Sequence, residues 1–262
     1  MTIDGNEKSD RDVKLRNKTA LITGASRRIG RVLAIALAEE GVNIVAHDRR
    51  SLEAETAKVC NEVEDCGARS WSVIADLERP EEYETLVARA LQAAGSLDIL
   101  INNASIFLPN TLMDVGFGDL TRHLHVNAWA PFVLSREFSR LVRRGKIINL
   151  LDTKVAGHDR AHAAYILSKR LLAALTGMCA LEFAPGITVN AVAPGLILPP
   201  AGKDDDYLEQ LAQRLPLKRH GKPGDIADAV LYLLRSDFVT GQTIFVDGGR
   251  RLLEDVNGPD PY

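Results

Sequence analysis

Thr19-Ala20-Leu21-Ile22-Thr23-Gly24-Ala25-Ser26-Arg27-Arg28-Ile29-Gly30 is the stretch that decides how this chain is built. Its first five residues form a short apolar run, the mark of a strand buried on both faces. From Ile29 to about Glu40, apolar Ile29, Val32, Leu33, Ala36 and Leu37 return at helical spacing, and Gly41 ends the pattern. A glycine turn between strand and helix lets backbone N–H groups and the helix N-terminus approach a pyrophosphate with no Cβ in the way. Gly24, Ser26, Arg27, Arg28, Ile29 and Gly30 are therefore candidate cofactor contacts. A two-glycine turn is not specific by itself, so the rest of the chain has to support it.

Working outward, strands are expected at Asn43–His47, Ser70–Ala75, Leu97–Ile101, Lys146–Leu151, Ile187–Val192 and Thr243–Val246. Helical patterns separate them at about Ser51–Cys66, after Pro80, at Pro131–Arg144, at His162–Phe183 and at Asp225–Arg235. Continuous apolar strands alternating with helices predict an α/β fold, a single doubly wound parallel sheet of about seven strands covered on both faces. One domain over 17–252 is expected, with polar tails at 1–16 and 253–262. Only Leu196–Pro216 breaks the alternation, with Pro199-Pro200-Ala201-Gly202 ahead of an acidic helix start. A long excursion at that point suits a lid over a ligand crevice.

Composition narrows the function. Lys and Arg number 32 against 35 Asp and Glu in 262 residues, a net charge of −3, so nothing draws the whole molecule to nucleic acid or an anionic membrane. Aromatics at 5% are too sparse for a single-strand stacking surface. Cys60, Cys66 and Cys179 form neither a CxxC nor a zinc-spaced cluster, which predicts reduced thiols and no metal site. The N-terminal stretch is polar, without an apolar core, and no apolar run reaches bilayer-spanning length. A cytoplasmic enzyme with a small-molecule partner is the expectation.

Further motifs sit at the strand ends. Asp76-Leu77 after the third strand offers a carboxylate and an amide to an adenine edge. Asn102-Asn103-Ala104-Ser105 follows the fourth strand, Pro194-Gly195 the sixth, and Asp247-Gly248-Gly249 the seventh. Tyr165 and Lys169, four apart, lie on one helical face. A nearby ammonium stabilises a phenolate and lowers the phenol's pKa, which suits general acid chemistry.

With these motifs in this order, the chain resembles the short-chain dehydrogenase/reductases over roughly 17–252. The resemblance implies a Rossmann-type sheet and a nicotinamide dinucleotide cofactor. It also implies catalysis by Tyr165 and Lys169, a proton relay supported by Asn127, and a homotetramer. Asn103, Ala104, Ser105, Pro194 and Gly195 would contact the cofactor. Two positions depart from the ordinary pattern. Asp152 replaces a serine thirteen residues before Tyr165, and Arg28 replaces a glycine in the dinucleotide turn. Both departures are features of the pteridine reductases, including the dihydromonapterin reductases. This closer resemblance implies a flat pterin between Phe107 and the nicotinamide, with Arg28 and Ser105 on its polar edge and Asp152, Tyr165 and Lys169 as the proton relay. The plainer alternatives are a core role for Phe107, a phosphate clamp for Arg28 and a simple serine substitute in Asp152.

Cofactor choice is balanced. Asp48, eighteen residues after Gly30, is placed to accept from the adenosine ribose hydroxyls, which favours NAD(H). Arg49, Arg50 and Ser51 follow it, and Arg27 lies across the turn, so guanidinium forks are available for a 2′-phosphate. A carboxylate about 4 Å from the phosphate costs on the order of 4 kcal/mol per unit charge. Two arginines offset that, tipping the balance toward NADP(H). Reduction of a 3-oxoacyl thioester is the competing activity, and a non-catalytic dinucleotide sensor the remoter one.

Overall fold

The computed structural model describes residues 15–200 and 202–253, so the two tails lie almost wholly outside the described residues. β1 (Thr19–Thr23) is completely buried and central. Around it lie β2 (Asn43–Asp48), β3 (Ser70–Ile74), β4 (Ile99–Asn102), β5 (Gly145–Leu150), β6 (Ile187–Pro194) and β7 (Thr243–Val246). They form one seven-stranded sheet in the order β3-β2-β1-β4-β5-β6-β7, every pairing parallel.

Strand side chains alternate between two cores, as a period of two requires. Ile22, Ile44, Ile101 and Ile148 face one core with α1 (Arg28–Glu39) and α2 (Glu53–Asp65). Leu21, Val45, Leu100 and Ile147 face the other, with Leu86 and Val87 of the helical segment that follows β3. That segment comprises α3 (Pro80–Tyr83) and α4 (Leu86–Ala94). Both faces being covered explains why the strands read as unbroken apolar runs. Neighbours β1 and β4 run out in opposite winding directions, which opens a crevice at their carboxyl ends.

The helix expected from Pro131 begins much earlier. α5 (Phe117–Leu124) leads through a π-helical turn, His125–Trp129, into α6 (Ala130–Val142). The apolar period is interrupted there because the fully buried positions include His123 and Asn127. Pro131 has no N–H, so the carbonyl of Asn127 lacks an i+4 donor and the helix widens where a functional side chain turns inward. α7 (Ala163–Glu182) is, contrary to the sequence reading, long and apolar enough in composition to cross a membrane. Here it is a core helix, with Leu172, Cys179 and Ala180 buried. The excursion after β6 contains α8 (Asp205–Ala212), capped by Asp204, whose Oδ1 accepts from the Tyr207 amide at 3.2 Å. α9 (Pro223–Arg235) buries Ile226, Val230 and Leu233 against the first core. Among the described residues all three cysteines are free.

One buried group makes stability depend on pH. His47 is buried in β2, its Nε2 at 3.1 Å from the Ala75 carbonyl, and its Nδ1 has no partner. Burial pushes its pKa down to about 4, against about 6.5 in an unfolded chain. The unfolded state therefore binds the proton first, so stability drops as pH falls from 6.5 to 4, by about 3 kcal/mol for this group. Urea unfolding at pH 7 and pH 4.5 should show that loss, and His47→Gln should flatten it. Parallel acid limbs in both proteins would remove His47 from the account.

Candidate active site

The glycine turn is closed by packing from β4. Gly24 has φ of +65°, and a Cβ on it would sit 3.0 Å from the Ala104 Cα. A Cβ on Gly30 would lie 1.9 Å from the Gly24 carbonyl oxygen. Asn103 Nδ2 donates to the carbonyls of Thr23 at 2.9 Å and Gly24 at 3.0 Å. The Asn103 and Ala104 amides both donate to Thr23 Oγ1, at 3.0 and 3.1 Å. Asn103 and Ala104 thus brace the turn. No side chain caps the N-terminus of α1, and its first turn carries no acid. A cradle that admits no Cβ, opening on uncapped helix amides, fits a dinucleotide pyrophosphate.

Arg28 sits at φ +53°, in the left-handed region that favours glycine. Its Nη2 donates to the Pro199 carbonyl at 3.0 Å, so it clasps the excursion after β6. Asp48 is buried, with both carboxylate oxygens hydrogen-bonded. Its Oδ2 accepts from Ser26 Oγ at 2.5 Å and Ser26 N at 3.3 Å, and its Oδ1 from Arg49 N at 2.9 Å. Arg27, Arg49, Arg50 and Ser51 are exposed around it. Asp76 closes its own turn, its Oδ1 accepting from Glu78 N and its N–H donating to Glu82 Oε2. Leu77 beside it is buried. After Pro194, Gly195 donates to the Val246 carbonyl, and a Cβ there would meet the Asp247 Cα at 2.6 Å. Asp247 accepts from Thr153 Oγ1 at 2.6 Å, tying the segment after Asp152 to the end of β7.

Tyr165 and Lys169, both buried on α7, come together with Asp152. Tyr165 Oη donates to Asp152 Oδ2 at 3.2 Å, while Asp152 Oδ1 accepts from Lys154 N at 2.8 Å. Lys169 Nζ donates to the Leu150 carbonyl at 2.8 Å and lies 5.7 Å from the Tyr165 ring centre. The expected acidified phenol needs correction. Burial, and then the charge and hydrogen bond of Asp152, push the Tyr165 pKa well above 10. Burial lowers Lys169 to about 8, partly countered by Asp152. Tyr165 thus keeps its proton, and the ammonium is the group of the pair that titrates at lower pH, at about 8.

The Asn127 side chain is engaged with the neighbouring loop and helix. Its Oδ1 accepts from Ile106 N at 2.8 Å, and its Nδ2 donates to the Ile106 carbonyl at 2.9 Å and to Ser168 Oγ at 3.0 Å. It therefore fixes the backbone between Ser105 and Phe107. Ser105 is exposed and donates to the Ile106 carbonyl at 3.3 Å. Phe107 is 48% exposed, which excludes a core role. Its ring meets Tyr165 edge-on at 4.6 Å and stacks on His162 at 4.0 Å.

Three residues escaped the sequence reading. Asn110 Oδ1 accepts from Ala164 N at 2.9 Å, capping α7 from 54 positions away, and no local pattern announces that. Asp159 and His162 pair at 3.1 Å, and their i,i+3 spacing just before a helix was the available signal.

A family model described as enoyl-(acyl carrier protein) reductase matches residues 24–251. The 3-oxoacyl-[acyl-carrier-protein] reductase FabG of Staphylococcus epidermidis is 36% identical over 241 residues, covering 89% of this chain and 98% of the relative. Among solved structures, FolM alternative dihydrofolate reductase 1 from Brucella suis in complex with NADP is similar with a TM-score of 0.86 and 32% identity. It covers 92% of this chain and 98% of that one. The Brucella canis FolM complexed with NADP gives 0.84 at 32% identity, covering 92% and 97%.

This geometry makes the pH dependence of reduction specific. Since the phenol keeps its proton and Lys169 loses its charge as pH rises through about 8, the reduction rate should decline above pH 8 and stay level between 6 and 7.5. Tyr165→Phe should retain nucleotide affinity in a fluorescence titration yet lose at least about 1000-fold in turnover. A turnover rate still rising at pH 9.5 in the native enzyme would contradict the role given to Lys169.

Proposed function

The chain belongs to the short-chain dehydrogenase/reductase family and is an NAD(P)H-dependent reductase, and from that premise we propose that it uses NADPH to reduce a dihydropterin-type C=N bond. The observation carrying this reading is Asp152, a carboxylate hydrogen-bonded to the Tyr165 phenol at 3.2 Å. A simple ketone oxygen would meet that anion as a repulsive neighbour. An amino-pyrimidine edge instead brings N–H donors that a carboxylate accepts.

A nicotinamide dinucleotide held by the Gly24–Gly30 turn would supply the hydride for the ring carbon. Tyr165 gives its phenolic proton to the adjacent ring nitrogen, and Asp152, released from the phenol, accepts from the substrate's N–H groups. Lys169, anchored on the Leu150 carbonyl, stabilises the phenolate that proton transfer leaves behind. Half-exposed Phe107 supplies an apolar face for a flat ring. For the cofactor, both Asp48 oxygens already accept from Ser26 and Arg49 N, which leaves the carboxylate less free for a ribose hydroxyl. Arg27, Arg49 and Arg50 are exposed beside it, a setting suited to a 2′-phosphate. The NADP-bound FolM relatives support the same choice.

The FabG relative favours a second reading, reduction of a 3-oxoacyl thioester. NADPH oxidation measured with dihydrobiopterin or dihydrofolate, and separately with acetoacetyl thioester, separates the two. The dihydropterin should be the better substrate, and Asp152→Ser should lower its turnover more than about tenfold. Preferential use of the thioester, or an unaltered pterin rate in Asp152→Ser, refutes the pterin reading. Replacing Arg49 by Ala should weaken NADPH binding about tenfold or more while barely changing NADH binding. Equal losses for both nucleotides would take Arg49 out of 2′-phosphate recognition.

A further inference from the structure

A buried charged group stands behind the aromatic wall of the site. The Asp159 side chain is completely buried, and it accepts from Lys154 Nζ at 2.5 Å, His162 Nδ1 at 3.1 Å and Ala161 N at 2.7 Å. Burial alone would raise the Asp159 carboxyl, but the hydrogen bonds from His162 and Lys154, with the Lys154 charge, hold it well below the usual carboxylate range. A permanent anion therefore orients the His162 ring through Nδ1. That ring lies 17° from parallel to Phe107, at 4.0 Å between centres. It covers one Phe107 face, while the Phe107 and Tyr165 rings meet in a T-shaped contact at 85°.

The same segment is bound to the wall by backbone. Asn110 N donates to the Ala161 carbonyl and Ala163 N to the Asn110 carbonyl, at 2.8 and 2.9 Å. The loop bearing Phe107 and the start of the helix bearing Tyr165 are thus hydrogen-bonded to each other, with His162 at the seam.

We propose that His162, tethered by Asp159, is a positioning residue that backs one face of Phe107 and so sets the plane on which a flat heteroaromatic substrate lies. The inference rests on the dihydropterin reading. It assigns to His162 no proton transfer and no contact with the reacting atoms. Losing the backing ring should loosen substrate binding and leave the chemical step and the cofactor site largely intact.

The test is steady-state kinetics of the NADPH-loaded enzyme with a dihydropterin, alongside NADPH titration and thermal unfolding. His162→Ala should raise KM about three- to tenfold, the size of one aromatic stacking contact, with kcat and NADPH affinity within about twofold of native. His162→Phe, which keeps a ring, should restore most of the KM. His162→Gln, which keeps only a polar group for Asp159, should not. A merely structural histidine would instead lower thermal stability, kcat and NADPH affinity together, and that pattern overturns the proposal. An unchanged KM in His162→Ala overturns it as well. Should His162→Ala not fold, the Phe and Gln variants decide the matter, and equal KM values for them count against it. A native enzyme that reduces no dihydropterin at all sinks the substrate reading and this inference with it. Native activity with an insensitive His162→Ala sinks this inference alone.

Discussion

Asn103 crosses from the end of β4 into the turn after β1 and donates to two successive carbonyls, Thr23 and Gly24. Those carbonyls belong to a turn too tight for any Cβ at Gly30, so a side-chain amide supplies the hydrogen bonds that the turn's own backbone lacks. The contact joins the two halves of the sheet where their winding diverges. With it in place, the α1 N-terminus, the engaged Asp48 carboxylate and the Phe107 loop all take their positions from a single junction.

Beyond that junction, burial governs the chemistry. Tyr165 and Lys169 are buried beside Asp152, so the charge states of the phenol and the ammonium depend on their surroundings. The tyrosine proton is retained because ionisation would place a second anion beside Asp152. The lysine is the group close to titrating, and its hydrogen bond to the Leu150 carbonyl holds it without neutralising it. A second carboxylate, the buried Asp159, is balanced by Lys154 and His162 and acts on orientation instead of protonation. Two carboxylates within one active-site wall thus have separate functions because their partners differ.

Much of this was legible in the residue order. Continuous apolar strands, the glycine turn and the Tyr165–Lys169 spacing announced a parallel sheet with a dinucleotide site, because each is a local pattern with a local cause. Other features were misread for equally physical reasons. Phe117–Trp129 hid its helix because His123 and Asn127 are buried polar residues inside an apolar period, and burial of that kind has no sequence signature. Lys169 was expected to acidify Tyr165 from spacing alone. Spacing placed them on one face but said nothing of the desolvation both undergo or of the carboxylate between β5 and α7 that faces the phenol.

The amino-acid sequence by itself therefore determined the α/β class, the strand carrying the nucleotide turn, and the placing of Tyr165 and Lys169 on one helical face. Only the tertiary structure decided that Asn127 grips Ile106, that Arg28 reaches Pro199, that Asn110 caps a helix from a distant loop, and that His162 lies flat on Phe107. Elements are set by neighbours a few residues apart, whose periodicity any reader of the chain can follow. The second group depends on hydrogen bonds and ring contacts across tens of residues, which exist only once the parallel crossovers have brought those segments together.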